Sequence, residues 1–265
     1  MALKQVVKHF WYTTSQQPGE SAGTSGTYGV WADGAPGIIF QHHQGHSAIL
    51  NTAGTPFPLS FAYGQSTRPC TNQVTGNPLL LGISFYPTAF KKLFSIDASD
   101  LTNTLLDAAQ LFTPSFIEQL LHTADPRQII RLFSQRLAQQ LLKYPQDAAI
   151  DESVRILQQA TTRIDSALLA SRIHISQRQF QRRFKAYVGV CTETYQRIMK
   201  FQQALRLLRH QQYNKLSDIS YHLDYADQSH FNREFKLFSG FTPKALQERL
   251  HGNYPAELSR MIRYD

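Results

Sequence analysis

The sequence is poor in cysteine, and this scarcity limits the kinds of protein it can encode. Its 265 residues include 2 cysteines, Cys70 and Cys191, which lie far apart. They form neither a C-x-x-C spacing nor a Cys/His pattern of the zinc-site type. A disulfide framework is therefore excluded, and we expect the protein to work in a reducing compartment.

Long apolar runs are also missing. No stretch of 18 consecutive apolar residues occurs, and the first ten residues lack a run long enough for the core of a signal peptide. We therefore expect a cytoplasmic protein with no membrane partner.

Catalytic motifs are the third absence. There is no G-x-S-x-G elbow, Walker loop, dinucleotide glycine motif or H-E-x-x-H segment. His42, His43 and His46 crowd one stretch, but no Glu follows at the spacing of a cupin metal site, so a polar strand end is favoured over a metal site. We expect no enzyme, no cofactor and no metal.

The length and the distribution of charge indicate two domains with different tasks. Residues 1–146 hold nine basic and seven acidic side chains, a sum of +2, whereas residues 147–265 hold eighteen and twelve, a sum of +6. From Arg172 to Arg209, nine basic residues stand against the single acid Glu193. Charge alone favours a solvated basic helix face, although a polyanion would need the same excess.

Residues 10–90 have the texture of strands and turns, with short apolar or alternating runs separated by Gly, Pro, Asn and Ser. The candidate strands are Gly37–Phe40, Ser47–Leu50, Leu59–Tyr63 and Leu79–Phe85. The sequence therefore predicts an α+β protein, in which a β-rich sandwich or barrel with helices precedes an all-α domain.

One helix is predicted to follow this half, from the capping Asp125 and Pro126 to Tyr144, before Pro145. Its apolar stripe either covers the sheet or meets a second subunit, so a homodimer through residues 125–144 stays open. Residues 144–149 are the predicted linker. The predicted domains are a regulatory or dimerisation module at 1–146, the all-α domain at 147–252 and a tail at 253–265.

Two stretches about fifty residues apart, 166–185 and 217–236, share one plan. Each has a short apolar helix, a tight turn, a Ser or Asp suited to an N-cap, and a second helix with Phe at positions i and i+4. The Phe pairs are Phe180 with Phe184 and Phe231 with Phe235. Two short helices that cross steeply over a small shared core form a helix-turn-helix, which leaves one helix face free for the major groove of DNA.

When the two units are aligned on their Phe pairs, the residues of the two turns match poorly. Ile173 and Ile175 match Leu223 and Tyr225 if the first turn is flexible. Between the units, apolar spacing predicts one long helix through Tyr195, Ile198, Met199, Phe201, Leu205 and Leu208. A stiff helix would hold the two recognition helices about one turn of B-DNA, roughly 10 bp, apart.

With the Phe pairs turned inward, the second helix of each unit presents polar and basic side chains outward. Arg suits guanine, Gln and Asn suit adenine, and Lys and capped helix N-termini suit phosphates. The predicted DNA-binding residues are Gln177, Arg178, Gln181, Arg182, Lys185, Gln228, Ser229, His230, Asn232, Arg233 and Lys236.

Residues 150–250 resemble the AraC/XylS family of transcription regulators. The resemblance rests on Gln203-Ala-Leu-Arg-Leu-Leu208, on Asp218-Ile-Ser, on Gln228-Ser-His-Phe-Asn-Arg-Glu-Phe-Lys236 and on Gly240-Phe-Thr-Pro243, with Ser176 to Lys185 in the first unit. It implies double-stranded promoter DNA as a partner, two recognition helices per chain, and activation through contact with RNA polymerase. Asp224 stands where the family usually has Gly, and Thr192 where it often has Pro. These departures affect the expected geometry of the turns more than the expected function.

The N-terminal half is similar to the β-rich sensor or dimerisation module of a subgroup of these regulators. A small-molecule effector could occupy a pocket lined by Phe40, Phe61, Tyr63 and Phe85, although ordinary core packing explains these aromatics better. Two alternatives remain open. One is a small-molecule-binding or enzymatic β-barrel protein with an auxiliary helical domain, and the other is a nonspecific DNA binder.

Overall fold

The computed structural model of the protein describes residues 2–13, 26–141, 146–251 and 261–264. As predicted, a β-rich half precedes a helical half. The strands are β1 (Val7–Thr13), β2 (Gly26–Val30), β3 (Gly37–His42), β4 (Ile49–Leu50), β5 (Ser60–Tyr63), β6 (Cys70–Val74), β7 (Leu79–Phe85), β8 (Leu105–Asp107) and β9 (Met261–Tyr264). The helices are α1 (Ala89–Phe94), α2 (Pro114–Leu121), α3 (Pro126–Leu141), α4 (Ala148–Gln159), α5 (Ser166–Arg172), α6 (Gln177–Val188), α7 (Thr192–Arg209), α8 (Leu216–His222), α9 (Gln228–Ser239) and α10 (Pro243–His251).

The strands form two antiparallel sheets, of orders β8-β5-β3-β7-β1-β9 and β2-β6-β4. In the larger sheet, Phe10 and Ile38 both pair with Ile83, and Tyr12 and Phe40 both pair with Leu81. Because side chains alternate along a strand, these apolar residues share one face. That face forms one buried core with apolar residues of α1, α2 and α3.

Three of the four predicted strands correspond to β3, β5 and β7. The fourth, Ser47–Leu50, shortens to β4, since the Gln41 Oε1 atom accepts hydrogen bonds from the Ala48 and Ile49 amides at 2.6 and 3.2 Å. The polar strand β6 was not predicted because it buries Asn72 and leaves Cys70, Thr71 and Gln73 exposed.

The four aromatic residues proposed for an effector pocket do not line one pocket. Phe40 and Phe85 are fully buried in the core beneath the helices. Phe61 and Tyr63 flank Ala62, a member of that same core, so alternation turns both of them to the other face of the sheet. The alternative of a pocket shared by all four is therefore wrong, and the favoured interpretation as core residues is confirmed for Phe40 and Phe85.

Helix α3 covers the sheet, which decides between the two roles left open for it. Its apolar stripe, with Ile129, Phe133 and Leu137, belongs to the N-terminal core. The buried stripe cannot also meet a second subunit, so it does not support a dimer. At the start of α3, Asp125 accepts a hydrogen bond from the Arg127 amide at 3.0 Å. The predicted helix end at Tyr144 and the start of the linker lie outside the described residues.

The loop between β2 and β3 packs on the helical half. Ala32 is fully buried in the helical core, and the Gln202 side chain donates a hydrogen bond to its carbonyl oxygen at 2.6 Å. Residues 253–260 and 265 of the predicted tail lie outside the described residues. The rest of the tail, Met261–Tyr264, forms β9, which pairs with β1. No helix within the described ranges combines the length and apolarity needed to cross a membrane.

Helix α4 is held against the N-terminal half by a buried cation. Lys92 in α1 is 2 % exposed and forms an ion pair with Asp151 of α4, whose side chain is 38 % exposed. Thr88 also donates a hydrogen bond to Asp151 at 2.7 Å. Since a buried charge without a partner is costly, this contact fixes α4 relative to α1.

We predict that Asp151→Ala lowers the free energy of unfolding by roughly 2 kcal/mol, below the ~3–5 kcal/mol of a fully buried pair because Asp151 is partly solvated. Urea denaturation of the purified protein measures the change. Glu152→Ala is the matched control, because Glu152 is an exposed acid on the same helix that pairs with Arg155 on the surface. Equal losses in the two variants would contradict the role given to Asp151.

Candidate nucleic-acid interface

The first predicted unit is built from α5 and α6. Asp165 caps α5 by accepting a hydrogen bond from the Ala167 amide at 2.9 Å. Ser176 caps α6 by accepting a hydrogen bond from the Gln179 amide, and the Gln179 Oε1 atom accepts one from the Ser176 amide, which completes a capping box. The Ser-x-x-Gln spacing is visible in the sequence, although Gln179 was not among the predicted site residues. Both helix starts are therefore fixed by side chains next to the turn.

The second unit repeats this plan with α8 and α9. Asp227 caps α9 by accepting a hydrogen bond from the His230 amide at 2.6 Å. Asp218 accepts a bond from the Lys215 amide at 2.8 Å and so secures the start of α8. Each unit is thus a pair of short helices with a defined start and a short connection.

The two turns are equivalent at their first three residues. Ile173 and Leu223 follow the first helices, and His174 and Asp224 then adopt left-handed conformations with φ of 56° and 53°. The amide of the following residue donates an equivalent hydrogen bond in each turn. Ile175 donates to the Ala170 carbonyl at 3.2 Å, and Tyr225 donates to the Ser220 carbonyl at 2.9 Å. The match of Ile173 with Leu223 and of Ile175 with Tyr225 is confirmed, and the second turn is one residue longer before its cap.

The Phe pairs point inward as predicted and pack against α7. Phe180, Phe184, Phe231 and Phe235 are all fully buried. Phe184 meets Tyr195 at 5.9 Å between ring centroids, and Phe235 meets Phe201 at 5.0 Å. Tyr195 and Phe201 lie six residues apart on α7, an axial distance of about 9 Å. Helix α7 therefore holds both recognition helices, α6 and α9, on one rigid support.

A bidentate ion pair strengthens the contact of α7 with the second unit. Arg197 of α7 donates to both carboxylate oxygens of Glu234 in α9 at 2.7 Å, and these hydrogen bonds raise the pKa of the Arg197 guanidinium. Lys200 donates to the Asp224 carbonyl at 2.9 Å. These two cations of α7 are thereby committed to the internal structure of the second unit.

The cations predicted to face DNA are in a different situation. They are exposed, and none of them forms an ion pair with another described residue. These five are Arg178, Arg182, Lys185, Arg233 and Lys236. The neighbouring Arg183, by contrast, is paired with Asp147. Free positive charge is therefore concentrated on one side of each recognition helix.

Two of the predicted glutamines also serve the fold. Gln177 and Gln181 both donate to the Ser166 hydroxyl, at 2.8 and 3.2 Å, and Gln181 is half-buried. Ser166 therefore ties α6 to α5. This role was missed because the hydroxyl lies across the turn, eleven residues before Gln177 and fifteen before Gln181.

The second unit has a similar mixture. Gln228 and Ser229 are exposed, whereas Asn232 and His230 are half-buried. The His230 ring packs edge-on against Tyr225 at 5.5 Å. His230 therefore contributes to the packing of the turn as well as to the predicted surface.

A groove of about 440 Å³ lies between α6 and the N-terminal half. Arg182, at the edge of the outward face, lines it together with Lys91 and Asp97, which pair with each other. Thr102 donates to the Gly189 carbonyl at 2.7 Å and so holds the end of α6 beside the residues 98–102 turn. Lys91 was not predicted because no local sequence signal links it to a helix 90 residues away.

We predict that His174→Gly stabilises the protein by roughly 0.5 kcal/mol. Gly relieves about 1 kcal/mol of strain in the left-handed conformation, and the greater freedom of Gly in the unfolded chain offsets part of this gain. Asp224→Gly should gain less, since Asp tolerates this conformation better. Ser171→Gly inside α5 is the control and should destabilise by roughly 0.5–1 kcal/mol. Thermal unfolding measures all three, and a loss for His174→Gly as large as that for Ser171→Gly would argue against the turn geometry.

Comparison with known proteins agrees with this geometry. Residues 169–249 match the model of a family described as a helix-turn-helix domain, and residues 1–107 match a domain of unknown function, DUF6597. No curated protein matches the chain significantly. Among the described residues, no group of three or more His, Cys, Asp or Glu side chains is arranged to hold a metal ion.

Several solved structures are similar at low sequence identity. The crystal structure of ToxT from Vibrio cholerae O395 is 12% identical, covers 94% of this chain and 99% of its own, and has a TM-score of 0.45. Unsaturated fatty acid-bound ToxT from V. cholerae strain SCE256 is 12% identical, covering 89% and 99%, with a TM-score of 0.42. The DNA-binding domain of the global transcriptional factor AdpA, in complex with a target DNA, is 21% identical, covering 42% and 99%, with a TM-score of 0.37.

Proposed function

We propose that this chain, whose residues 169–249 form a helix-turn-helix domain of the AraC type, is a sequence-specific regulator that inserts α6 and α9 into adjacent major grooves of promoter DNA. That it is a DNA-binding transcription regulator follows from the domain itself. The proposal concerns which side chains meet the DNA and how the two helices share it.

The observation that carries the proposal is the contrast between paired and unpaired cations. Arg183, Arg197 and Lys200 neutralise acids within the fold. The five exposed cations on the outward sides of α6 and α9 have no acidic partner among the described residues. Unpaired guanidinium and ammonium groups on a recognition helix are what guanine edges and phosphates require.

Helix α7 supports the second part of the proposal. It contacts both recognition helices through buried aromatic rings, so their separation is set by one continuous helix of 18 residues. A fixed separation suits two recognition sites about one helical turn, roughly 10 bp, apart. Under this proposal Arg178, Gln181 and Arg182 contact one groove, and Gln228, Ser229, Asn232 and Arg233 contact the next.

We expect Arg182→Ala and Arg233→Ala each to weaken binding to a specific promoter site by about 1–3 kcal/mol and to relax base preference at one position. Electrophoretic mobility shift assays with the folded variants measure this loss. Arg127→Ala, which removes an exposed arginine on α3 far from the recognition helices along the chain, is the control and should bind like the parent protein. Parent-like binding by both Arg182→Ala and Arg233→Ala would overturn the assignment of the grooves.

The first unit should supply more of the salt-dependent affinity, because the densest positive charge of the sequence surrounds it. Lys185→Gln should therefore reduce the slope of log Kd against log salt concentration by about one, and Lys236→Gln by less. Fluorescence anisotropy over a salt series gives both slopes. A larger change for Lys236→Gln would show that the second unit dominates the phosphate contacts.

Three finer parts of the proposal come from the resemblance of the sequence to AraC/XylS regulators. They are activation through RNA polymerase, control by a small-molecule effector, and homodimerisation. The buried stripe of α3 means that a dimer would have to use a different surface. Control by an effector is favoured by the direct contacts of α6 and α7 with the N-terminal half, through Thr102 and Ala32.

A further inference from the structure

The first recognition helix, α6, is bordered by different parts of the chain on its two flanks. On one flank, Gln177 and Gln181 donate hydrogen bonds to Ser166 of α5. On the other flank, Gln179 and Ala186 line the groove that separates α6 from the N-terminal half. Helix α6 therefore lies between α5 and the N-terminal half, and the groove runs along one side of its outward face.

The far wall of this groove is fixed by direct packing on the end of α6. Thr102 donates a hydrogen bond to the Gly189 carbonyl at 2.7 Å. A Cβ atom at Gly189 would lie 3.0 Å from the Ala98 carbonyl oxygen, so the two segments are in close contact. Lys91 and Asp97 form the far wall just before this contact in the chain. The distance of both side chains from α6 is thus set by the fold.

Positive charge predominates in the groove. Its lining has one acid, Asp97, and three cations, a net charge of +2. The cations are Lys91, Arg182 and Arg183. Arg183 is paired with Asp147, and Lys91 is paired with Asp97 at 2.5 Å, whereas Arg182 forms no ion pair with any described residue. A concave surface with this balance of charge attracts anions.

The dimensions of DNA decide which anion comes to this position. The major groove of B-DNA is about 12 Å wide, and an α-helix with its side chains is about 10–12 Å across. A helix that lies in the major groove therefore has one phosphate strand along each flank. For α6, one strand passes α5 and the other passes the groove that contains Lys91.

We propose that this groove receives one strand of the DNA backbone and that Lys91 of the N-terminal half contacts a phosphate there. The inference rests on the proposed function, because it requires α6 to lie in the major groove. The Lys91 ammonium has three donors, so it can bond to a phosphate oxygen in place of Asp97. Asp97 repels the same phosphate and limits the affinity. The N-terminal half thus contributes one attractive and one repulsive group to the DNA interface.

The two members of this ion pair should have opposite effects on DNA affinity. Lys91→Gln leaves Asp97 facing the phosphates alone, so it should weaken binding about three- to tenfold at about 0.1 M salt and reduce the slope of log Kd against log salt concentration by about one. Asp97→Asn removes the repulsion and frees Lys91, so it should tighten binding by about threefold and steepen the slope. Both substitutions break the same ion pair, so a purely structural effect would have the same sign in both variants.

Fluorescence anisotropy of the full-length protein over a salt series measures the affinities and the slopes. The probe is a labelled duplex of about 30 bp, long enough for two adjacent major grooves, which the parent protein selects from a random-sequence library. The charge-matched controls are Lys4→Gln and Glu118→Gln, which change exposed residues of the N-terminal half outside the groove. Because salt screens distant charges, both controls should bind within about twofold of the parent protein.

Both test variants are expected to fold, because Lys91 and Asp97 are 28 % and 45 % exposed and ion pairs of this kind contribute little to folding. Thermal unfolding checks this. Affinities that change in the same direction in Lys91→Gln and Asp97→Asn, or that match those of the controls, would overturn the inference.

Arg182→Ala in the same salt series separates this inference from the proposed function. Weaker binding by Arg182→Ala together with parent-like binding by Lys91→Gln would overturn the role of Lys91 and leave the proposed function in place. If the parent protein selects no sequence from the library, the proposed function and this inference are both wrong.

Discussion

The ion pair between Lys92 and Asp151 is the constraint that orders the rest of the molecule. A lysine enclosed in the N-terminal half needs a carboxylate, and the one available belongs to the first helix of the C-terminal half. Helix α4 is fixed in this way. Its first turn then carries Asp147, which both caps α4 and pairs with Arg183 of α6. Two carboxylates four residues apart thus connect the β-rich half to the first recognition helix.

This connection gives the two recognition helices different surroundings. Helix α6 contacts α5, α7 and the N-terminal half, through Ser166, Tyr195 and Thr102. Helix α9 is held by α7, through Phe201 and the bidentate pair of Arg197 with Glu234. Helix α9 also contacts the N-terminal half directly, because its Phe238 carbonyl accepts a hydrogen bond from the Ala32 amide at 3.4 Å. A change in the N-terminal half therefore reaches both units by direct contact, and the second unit also by way of α7.

Local patterns predicted the helical half well, because its signals lie within a few residues of each other. The paired Phe residues, the capping Ser176 and Asp227 and the apolar spacing of α7 are all short-range features. Long-range features could not be predicted in this way. The pairing of Lys92 with Asp151, the bonding of Gln41 to the 48–49 backbone and the burial of Ala32 in the helical core each join distant segments of the chain. The sequence left a shared pocket of four aromatics open as an alternative for the same reason, since strand pairing decides which face each residue occupies.

The central claim is that two recognition helices on one support contact two adjacent major grooves. Methylation interference on a bound promoter measures this directly, since it detects guanine N7 atoms in the major groove that the protein needs. The account predicts two clusters of interference on one side of the DNA, about 10 bp apart, the first lost in Arg182→Ala and the second in Arg233→Ala. A single cluster, or two clusters that both survive these substitutions, would contradict it.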